Sequence, residues 1–270
     1  MGGASAPPTL AYVVVLDETL DWERDGIIGL RGAFDPAAAV EMRRVLWREL
    51  EKRHGILEHD PSTWTPGPAW KLETTKKSAA FAPMLSDTVR VTLDGLFGPG
   101  RWKGMKHAGQ VLVSFPHAEA WVVPHELWHS DFETEPATDG LFGVKHWSFF
   151  GSVAPGGGGT PQIAGSHKLF ARYLETAPTK EYKKAKHGFM RSHPWLKGLS
   201  TEGDVEHPGD RMRFLEEHDV DGLPARVVEL TGEPGDVFIT HPWVFHSIAV
   251  NAGDRPRMIR SGAFRAVAPS

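Results

Sequence analysis

From Gly109 onward the chain is a succession of short apolar runs cut by turn residues, and this punctuation constrains the fold more than any other feature. The runs lie at 110–115, 120–123, 141–154, 161–164, 225–230, 236–240, 244–250 and 257–267. Most are too short for a buried helix, and Gly, Pro, Asn, Asp or Ser, the residues that turns demand, lie between them. Such a series predicts a sandwich, a jelly roll or a barrel. The 29 glycines and 21 prolines fit a chain that turns this often.

The N-terminal part reads differently. Residues 1–9 are a loose tail, and 11–16 and 26–31 are β-like. A helix is predicted after Asp35, a natural N-cap, with Pro36 at the first helical position and Val40, Leu46 and Leu50 near helical spacing. A Pro/Trp-rich loop follows at 60–70, then a second helix over 86–97, ended by Gly98-Pro99-Gly100. Between 169 and 221 the β pattern breaks into helix-like pieces, a basic cluster (Lys180, Lys183, Lys184, Lys186) and a polar stretch at 200–210. This reads as a helical insertion, a lid over a site, with the basic cluster on a solvated helix face. The whole, 1–270, is expected to be one domain.

Composition removes several functions. The chain has no cysteine. That excludes disulfide scaffolds, thiolate-held zinc, iron–sulfur clusters and cysteine nucleophiles. Any metal must be held by carboxylates or by some of the 14 histidines. A net charge of −4 offers no footprint for nucleic acid. No apolar run approaches the ~18 residues of a membrane span. The start, MGGASAPPTL, shows no secretory pattern, so cytoplasm is the expected compartment.

The richest segment is Pro124-His125-Glu126-Leu127-Trp128-His129-Ser130-Asp131. It contains H-E-x-x-H (His125, Glu126, His129), which on a helix would put two histidines on one face for zinc, with the glutamate as base. It also contains H-x-D (His129, Asp131), which on a strand puts an imidazole and a carboxylate on one face. H-x-D acquires meaning only with a distant histidine beside it. The run PGDVFITHPWVFHS at 234–247 supplies His246 among apolar neighbours, with His241 as an alternative. Across the turn Asn251-Ala252-Gly253-Asp254 lies Arg257. Facing inward, it would be costly to bury without an anion, and a bidentate carboxylate would satisfy it.

At these residues the chain resembles the phytanoyl-CoA dioxygenase family of iron(II)/2-oxoglutarate oxygenases. PGDVFITHPWVFHS…N…DRPR resembles the family's C-terminal signature. GGGTPQIAGSHK at 157–168 resembles its Pro-Gly-Ser-His segment, with Ala164 in the proline's place. WERDGIIGLRGAFDPAAAVEMRRVL at 22–46 resembles its opening strand and helix. The resemblance implies a mainly β fold with flanking helices, a double-stranded β-helix (jelly-roll, cupin-like) core. It implies His129, Asp131 and His246 as iron ligands and Arg257 as the partner of the distal carboxylate of 2-oxoglutarate. Trp147 and Gln110 are implied near the cosubstrate. Two positions past the distal histidine the family often has a serine; here that place is Ile248, and the hydroxyl belongs to Ser247. The implied activity is oxidation of a C–H bond of a small molecule, as many relatives do in secondary metabolism, with O2 as oxidant and ascorbate as a supporting reductant. Asp131 favours hydroxylation over halogenation, because related halogenases lack the carboxylate. Trp128, Phe132, Trp147 and Phe149 suggest a substrate with an apolar body. Two other classes stay open: an H-E-x-x-H zinc hydrolase and a non-enzymatic jelly-roll binding module. His167 reads as structural, His125, Glu126 and Trp128 as flanking residues, and Lys106 and His107 carry no assigned role.

Overall fold

The computed structural model describes residues 15–69, 71–72, 75–104, 109–132, 140–179, 181–202 and 208–267. Lys106, His107, Lys180 and residues 11–14 of the first β-like run lie outside them. The strands are β1 (Val15–Leu16), β2 (Ile27–Arg31), β3 (Gly67–Ala69), β4 (Trp102–Gly104), β5 (Val111–Phe115), β6 (Gly143–Phe149), β7 (Pro161–Ala164), β8 (His218–Val220), β9 (Leu223–Glu229), β10 (Val237–Thr240) and β11 (Arg257–Ala266). The helices are α1 (Trp22–Asp25), α2 (Pro36–His54), α3 (Asp87–Phe97), α4 (Ser166–Thr176), α5 (Tyr182–Phe189) and α6 (Pro194–Leu199).

Helix α2 forms for the reasons its sequence offers. The Asp35 carboxylate accepts from the Ala37 N–H, Pro36 opens the first turn, and Gly55 closes the helix at φ 67°, a left-handed conformation glycine adopts without penalty. Its buried face is Ala39, Met42, Leu46, Trp47 and Leu50. Val40, expected inside, is 47% exposed: the helical period carries the core stripe through Met42 instead. Helix α3 starts where Ser86 accepts from the Val89 N–H and stops at Gly98.

An eight-stranded antiparallel sheet runs β1-β2-β10-β6-β11-β5-β3, with β4 also on β11. A second sheet runs β7-β9-β8. Beyond β7 it is continued by two extended segments: His246 bridges Gln162 on one side and His129 on the other. Counting from β5, the barrel elements are β5, the 129 segment, β6, β7, β9, β10, the 246 segment and β11. The large sheet takes the first, eighth, third and sixth; the small sheet takes the second, seventh, fourth and fifth. That interleaving is a double-stranded β-helix, a jelly roll.

Alternation along each strand sorts side chains to the two faces of the sheets. Phe149, Phe238 and Ile259 pack between the sheets with Ile27, Trp147 and Val244. Their neighbours Val144, Val237, Ile239 and Met258 point outward and are covered by α2 and α3 through Leu46, Leu50 and Leu93. On the outer face of the small sheet, Ile163, Val227 and Phe245 are covered by Phe170, Phe189, Leu196 and Phe214 from the 169–221 stretch. Each fully buried Leu, Ile or Phe contributes about 1.5–3 kcal/mol of transfer free energy.

Three expected strands differ from the reading of sequence. Residues 120–123 form none. The run 141–154 is strand only to Phe149, because the N–H groups of Phe150 and Gly151 both turn to the Met258 carbonyl. The run 244–250 is extended but ladders only at single bridges, since Pro242 cannot donate and the Val244 N–H closes a turn onto the His241 carbonyl. Among the described residues no helix is long and apolar enough to cross a membrane.

Candidate metal centre

His129 and His246 meet across a single antiparallel bridge. The His129 N–H donates to the His246 carbonyl at 3.0 Å, and the His246 N–H donates back at 2.9 Å. Directly paired residues on antiparallel segments share a face, and the two imidazoles lie with centroids 4.4 Å apart. Asp131, two residues on, reaches both: its carboxylate oxygens are 3.4 Å from His129 Nε2 and 3.4 Å from His246 Nε2. One donor atom from each of the three lies within 4.8 Å of the others, the spread of a set that could hold a metal ion.

The protonation state suits that task. His129 Nδ1 lies 2.6 Å from the Leu127 carbonyl, which only accepts. Nδ1 therefore carries the proton, and the Nε2 lone pair faces Asp131. Burial holds the His246 imidazole well below its usual range, and the neighbouring His129 and Lys145 push the same way. Burial likewise lowers His129, with Lys145 and Lys186 adding to the effect. Both rings are neutral near pH 7, the form that binds a metal.

The donors open into a cavity of about 600 Å³ that Gln110, Lys145, Trp147, Thr160, Ser247 and Arg257 also line. Trp147, 2% exposed, lies nearly perpendicular to the His246 ring with centroids 5.1 Å apart and donates from Nε1 to Thr240 Oγ1. The backbone N–H of Gln110 donates to Ser261 Oγ at 3.3 Å. Ser247 Oγ donates to the Glu126 carbonyl at 2.6 Å, which ties the 246 segment to the loop before His129.

Arg257 is 5% exposed and enters from the first position of β11. One guanidinium nitrogen donates to the Gly158 carbonyl at 2.8 Å, while Nε has no partner among the described residues. Burial pulls its pKa down to about 10, with Glu229 opposing, so it remains a cation at neutral pH. Glu229 accepts from the N–H groups of Gly156 and Gly159 at 2.8 Å each, and its own pKa is raised by burial. The glycines are required: Gly158 sits at φ 79°, and a Cβ there would come within 2.9 Å of the Asn251 Cβ. Asn251 in turn donates to the carbonyls of Ser114 and Arg255, pinning the hairpin that delivers Arg257.

Lys145 and Thr160 are among the cavity residues that escaped the sequence reading. Lys145 forms an ion pair with Asp131, lies 5.0 Å over the Trp147 ring, and is brought by burial to a pKa of about 8. Its signal was available: it precedes Trp147 by two positions and so shares its face. Thr160, 4% exposed, has a hydroxyl without a partner among the described residues. It supplies a buried hydroxyl in the cavity that holds Arg257, while Ile248 has none and that of Ser247 is engaged.

The H-E-x-x-H arrangement does not form. Residues 124–128 are not helical, and Leu127 adopts φ 57°. His125 lies 3.6 Å from Glu126 Oε1, and Glu126 is largely exposed. Neither belongs to the donor cluster. His241 packs against Trp22 and His167, away from the cavity, and burial keeps it neutral with a pKa of about 3. Lys183 and Lys184 of the basic cluster are exposed as expected. Lys186 is not: its amine donates to the Ser130 and Phe132 carbonyls.

No protein-family model and no curated protein matches the chain. Solved structures share its fold. The epimerase SnoN, solved in complex with Fe3+, alpha ketoglutarate and nogalamycin RO, is 17% identical at a TM-score of 0.53, over 91% of this chain and 80% of its own. HygX from Streptomyces hygroscopicus, solved with nickel and 2-oxoglutarate bound, is 14% identical at 0.53, over 91% and 84%. EctD from S. alaskensis, solved with 2-oxoglutarate and 5-hydroxyectoine, is 17% identical at 0.53, over 91% and 73%. At such identities the likeness is one of fold.

Proposed function

We propose that the chain is a non-haem iron(II)- and 2-oxoglutarate-dependent oxygenase acting on a small organic molecule, related to the phytanoyl-CoA dioxygenase family through its C-terminal signature. The observation that carries this reading is the convergence of His129, Asp131 and His246 in one cavity with a buried, incompletely satisfied Arg257. Two imidazoles and a carboxylate are the donor set that holds iron(II) while leaving positions free. With iron(II) and 2-oxoglutarate bound, the centre supplies the oxidising chemistry by which O2, 2-oxoglutarate and R–H give succinate, CO2 and R–OH, ascorbate keeping the metal reduced.

The protein's part is placement. Arg257 grips the distal carboxylate of the cosubstrate, and the Thr160 hydroxyl, which has no partner among the described residues, completes that grip as a second donor. Trp147 walls the centre beside His246, and with Phe132 it presents apolar surface. Lys71, Lys145, Arg257 and Arg265 line the cavity, against the single carboxylate of Asp131 among the described residues. A substrate with an apolar body and an anionic group fits that lining, and Gln110 offers it a polar contact. The failure of residues 125–129 to form a helix counts against the zinc hydrolase, and no observation favours a mere binding module.

The test is succinate release by the purified protein given iron(II), ascorbate, O2, 2-oxoglutarate and a panel of small organic acids. Asp131→Ala is expected to abolish it and Glu126→Gln to leave it intact. Dependence on Glu126 with indifference to Asp131 would overturn the assignment.

A further inference from the structure

We propose that helix α5 braces the metal-binding set, and that Lys186 is the positioning residue through which it holds Asp131. The inference rests on reading His129, Asp131 and His246 as a metal site.

Tyr182, Lys186 and Phe189 stand at i, i+4 and i+7, one face of α5. That face touches both segments that carry the donors. The Lys186 amine donates to the Ser130 carbonyl at 3.1 Å and to the Phe132 carbonyl at 3.0 Å, the carbonyls of the two residues that flank Asp131. Phe189 packs on Phe245, the neighbour of His246, with ring centroids 4.8 Å apart. Tyr182 accepts from Trp243 Nε1 at 2.8 Å, farther back on the same segment. Lys186 also lies 5.4 Å over the Tyr182 ring, which limits where its amine can go.

The need for such a brace follows from the ladder. Among the described residues the backbone pairing between the two donor segments is the single His129–His246 bridge, and Asp131 lies beyond it. A strand would hold the peptides around Asp131 with hydrogen bonds from a neighbouring strand. Here an ammonium, with three donors and a full charge, takes that place. The arrangement is specific to position 186: on the same helix Lys183 and Lys184 are exposed, and Lys184 pairs with Glu181.

The test is a cobalt(II) titration of the full-length protein, followed by visible absorption, beside thermal unfolding of the metal-free protein. Lys186→Met keeps the apolar stem and removes the donors. It is expected to weaken cobalt binding by about 10–100-fold, the range for residues that orient metal ligands, and to alter the spectrum. Lys186→Arg should recover most of both, and Lys184→Met should match the unsubstituted protein. Unchanged affinity and spectrum in Lys186→Met would overturn the proposal. So would equal weakening in Lys186→Met and Lys186→Arg that tracks an equal drop in unfolding temperature, since that marks a role in folding alone. If the unsubstituted protein binds no cobalt, the metal reading fails first, and that result is distinct from the other two.

Discussion

The two sheets of the jelly roll build their halves of the cavity by different means. On the large sheet, Arg257, Trp147 and Lys145 stand on β11 and β6, which pair over seven consecutive positions from Ile259–Phe149 to Arg265–Gly143 or continue directly from that ladder. Their direction is set by regular alternation. On the small sheet, His129 and His246 face each other across a single bridge, and Asp131 is on no ladder. Those donors are held by side chains reaching to backbone: Ser247 to the Glu126 carbonyl and Lys186 to the carbonyls around Asp131. A regular sheet gives rigid placement at low local cost. An irregular edge lets three side chains from two segments converge on a point, and it then depends on tertiary hydrogen bonds to stay there.

The sharpest way to break that comparison is to remove one donor. His246→Ala should abolish metal binding and succinate release, whereas His241→Ala, on a packed ring outside the cavity, should lower the unfolding temperature and leave metal binding in place. The two measurements are cobalt titration and calorimetry, and loss of cobalt binding in His241→Ala would contradict the assignment.

Next comes the ladder side. Arg257→Ala removes charge-assisted hydrogen bonds of about 1.5–3 kcal/mol, so the KM for 2-oxoglutarate should rise roughly 10–100-fold. Metal affinity without cosubstrate should hardly change. Lys at 257 should rescue poorly, because it lacks the planar fork.

A smaller contrast uses one substitution in both regions. Ser247→Ala leaves the Glu126 carbonyl without its donor, at about 1–3 kcal/mol if the group stays dry, and should weaken cobalt binding. Ser148→Ala, fully buried within β6 beside His146, should cost stability without moving cobalt affinity. Equal effects on cobalt at the two sites would erase the distinction drawn between the sheets.

Last in its effect on the metal centre is a pH slope shared by the whole fold. Burial holds His241 and His146 at pKa values of about 3 and His167 at about 4, below the ~6.5 of an unfolded histidine. Between about pH 6.5 and 3 the unfolded chain takes up protons that the folded chain refuses, the folded His167 accepting its own near pH 4. The stability these rings contribute is therefore complete above about pH 6.5 and is lost as pH falls through that window. Unfolding temperatures across the window should fall toward acid, and His241→Phe should flatten the slope.

Legibility follows the same division. Strands β5, β7, β9, β10 and β11 were readable within a residue or two because each alternates or runs apolar between turn residues. The stretch 120–123 looked the same and is no strand, because apolar composition reports burial and not a hydrogen-bonding neighbour. Val40 misled for a related reason: helical spacing defines a stripe only relative to the surface that covers it, and that surface was the large sheet. Lys186 sat in a cluster of lysines, and of the three that are described it alone turns inward, a difference that no local pattern carries.

What the amino-acid order determined by itself was chemical kind: neutral-capable imidazoles, one carboxylate, a guanidinium, no thiol, and a run of short strands that close on themselves. Periodicity and turn chemistry act over a few residues, so they can be read from the chain. Which histidine of several meets Asp131, that Lys145 and Thr160 share its cavity, and that a helix fifty residues away holds the Asp131 loop were decided only by tertiary structure. Those contacts join residues far apart in the chain, and their strength depends on burial and on the geometry of donors and acceptors, which exist only once the two sheets have closed.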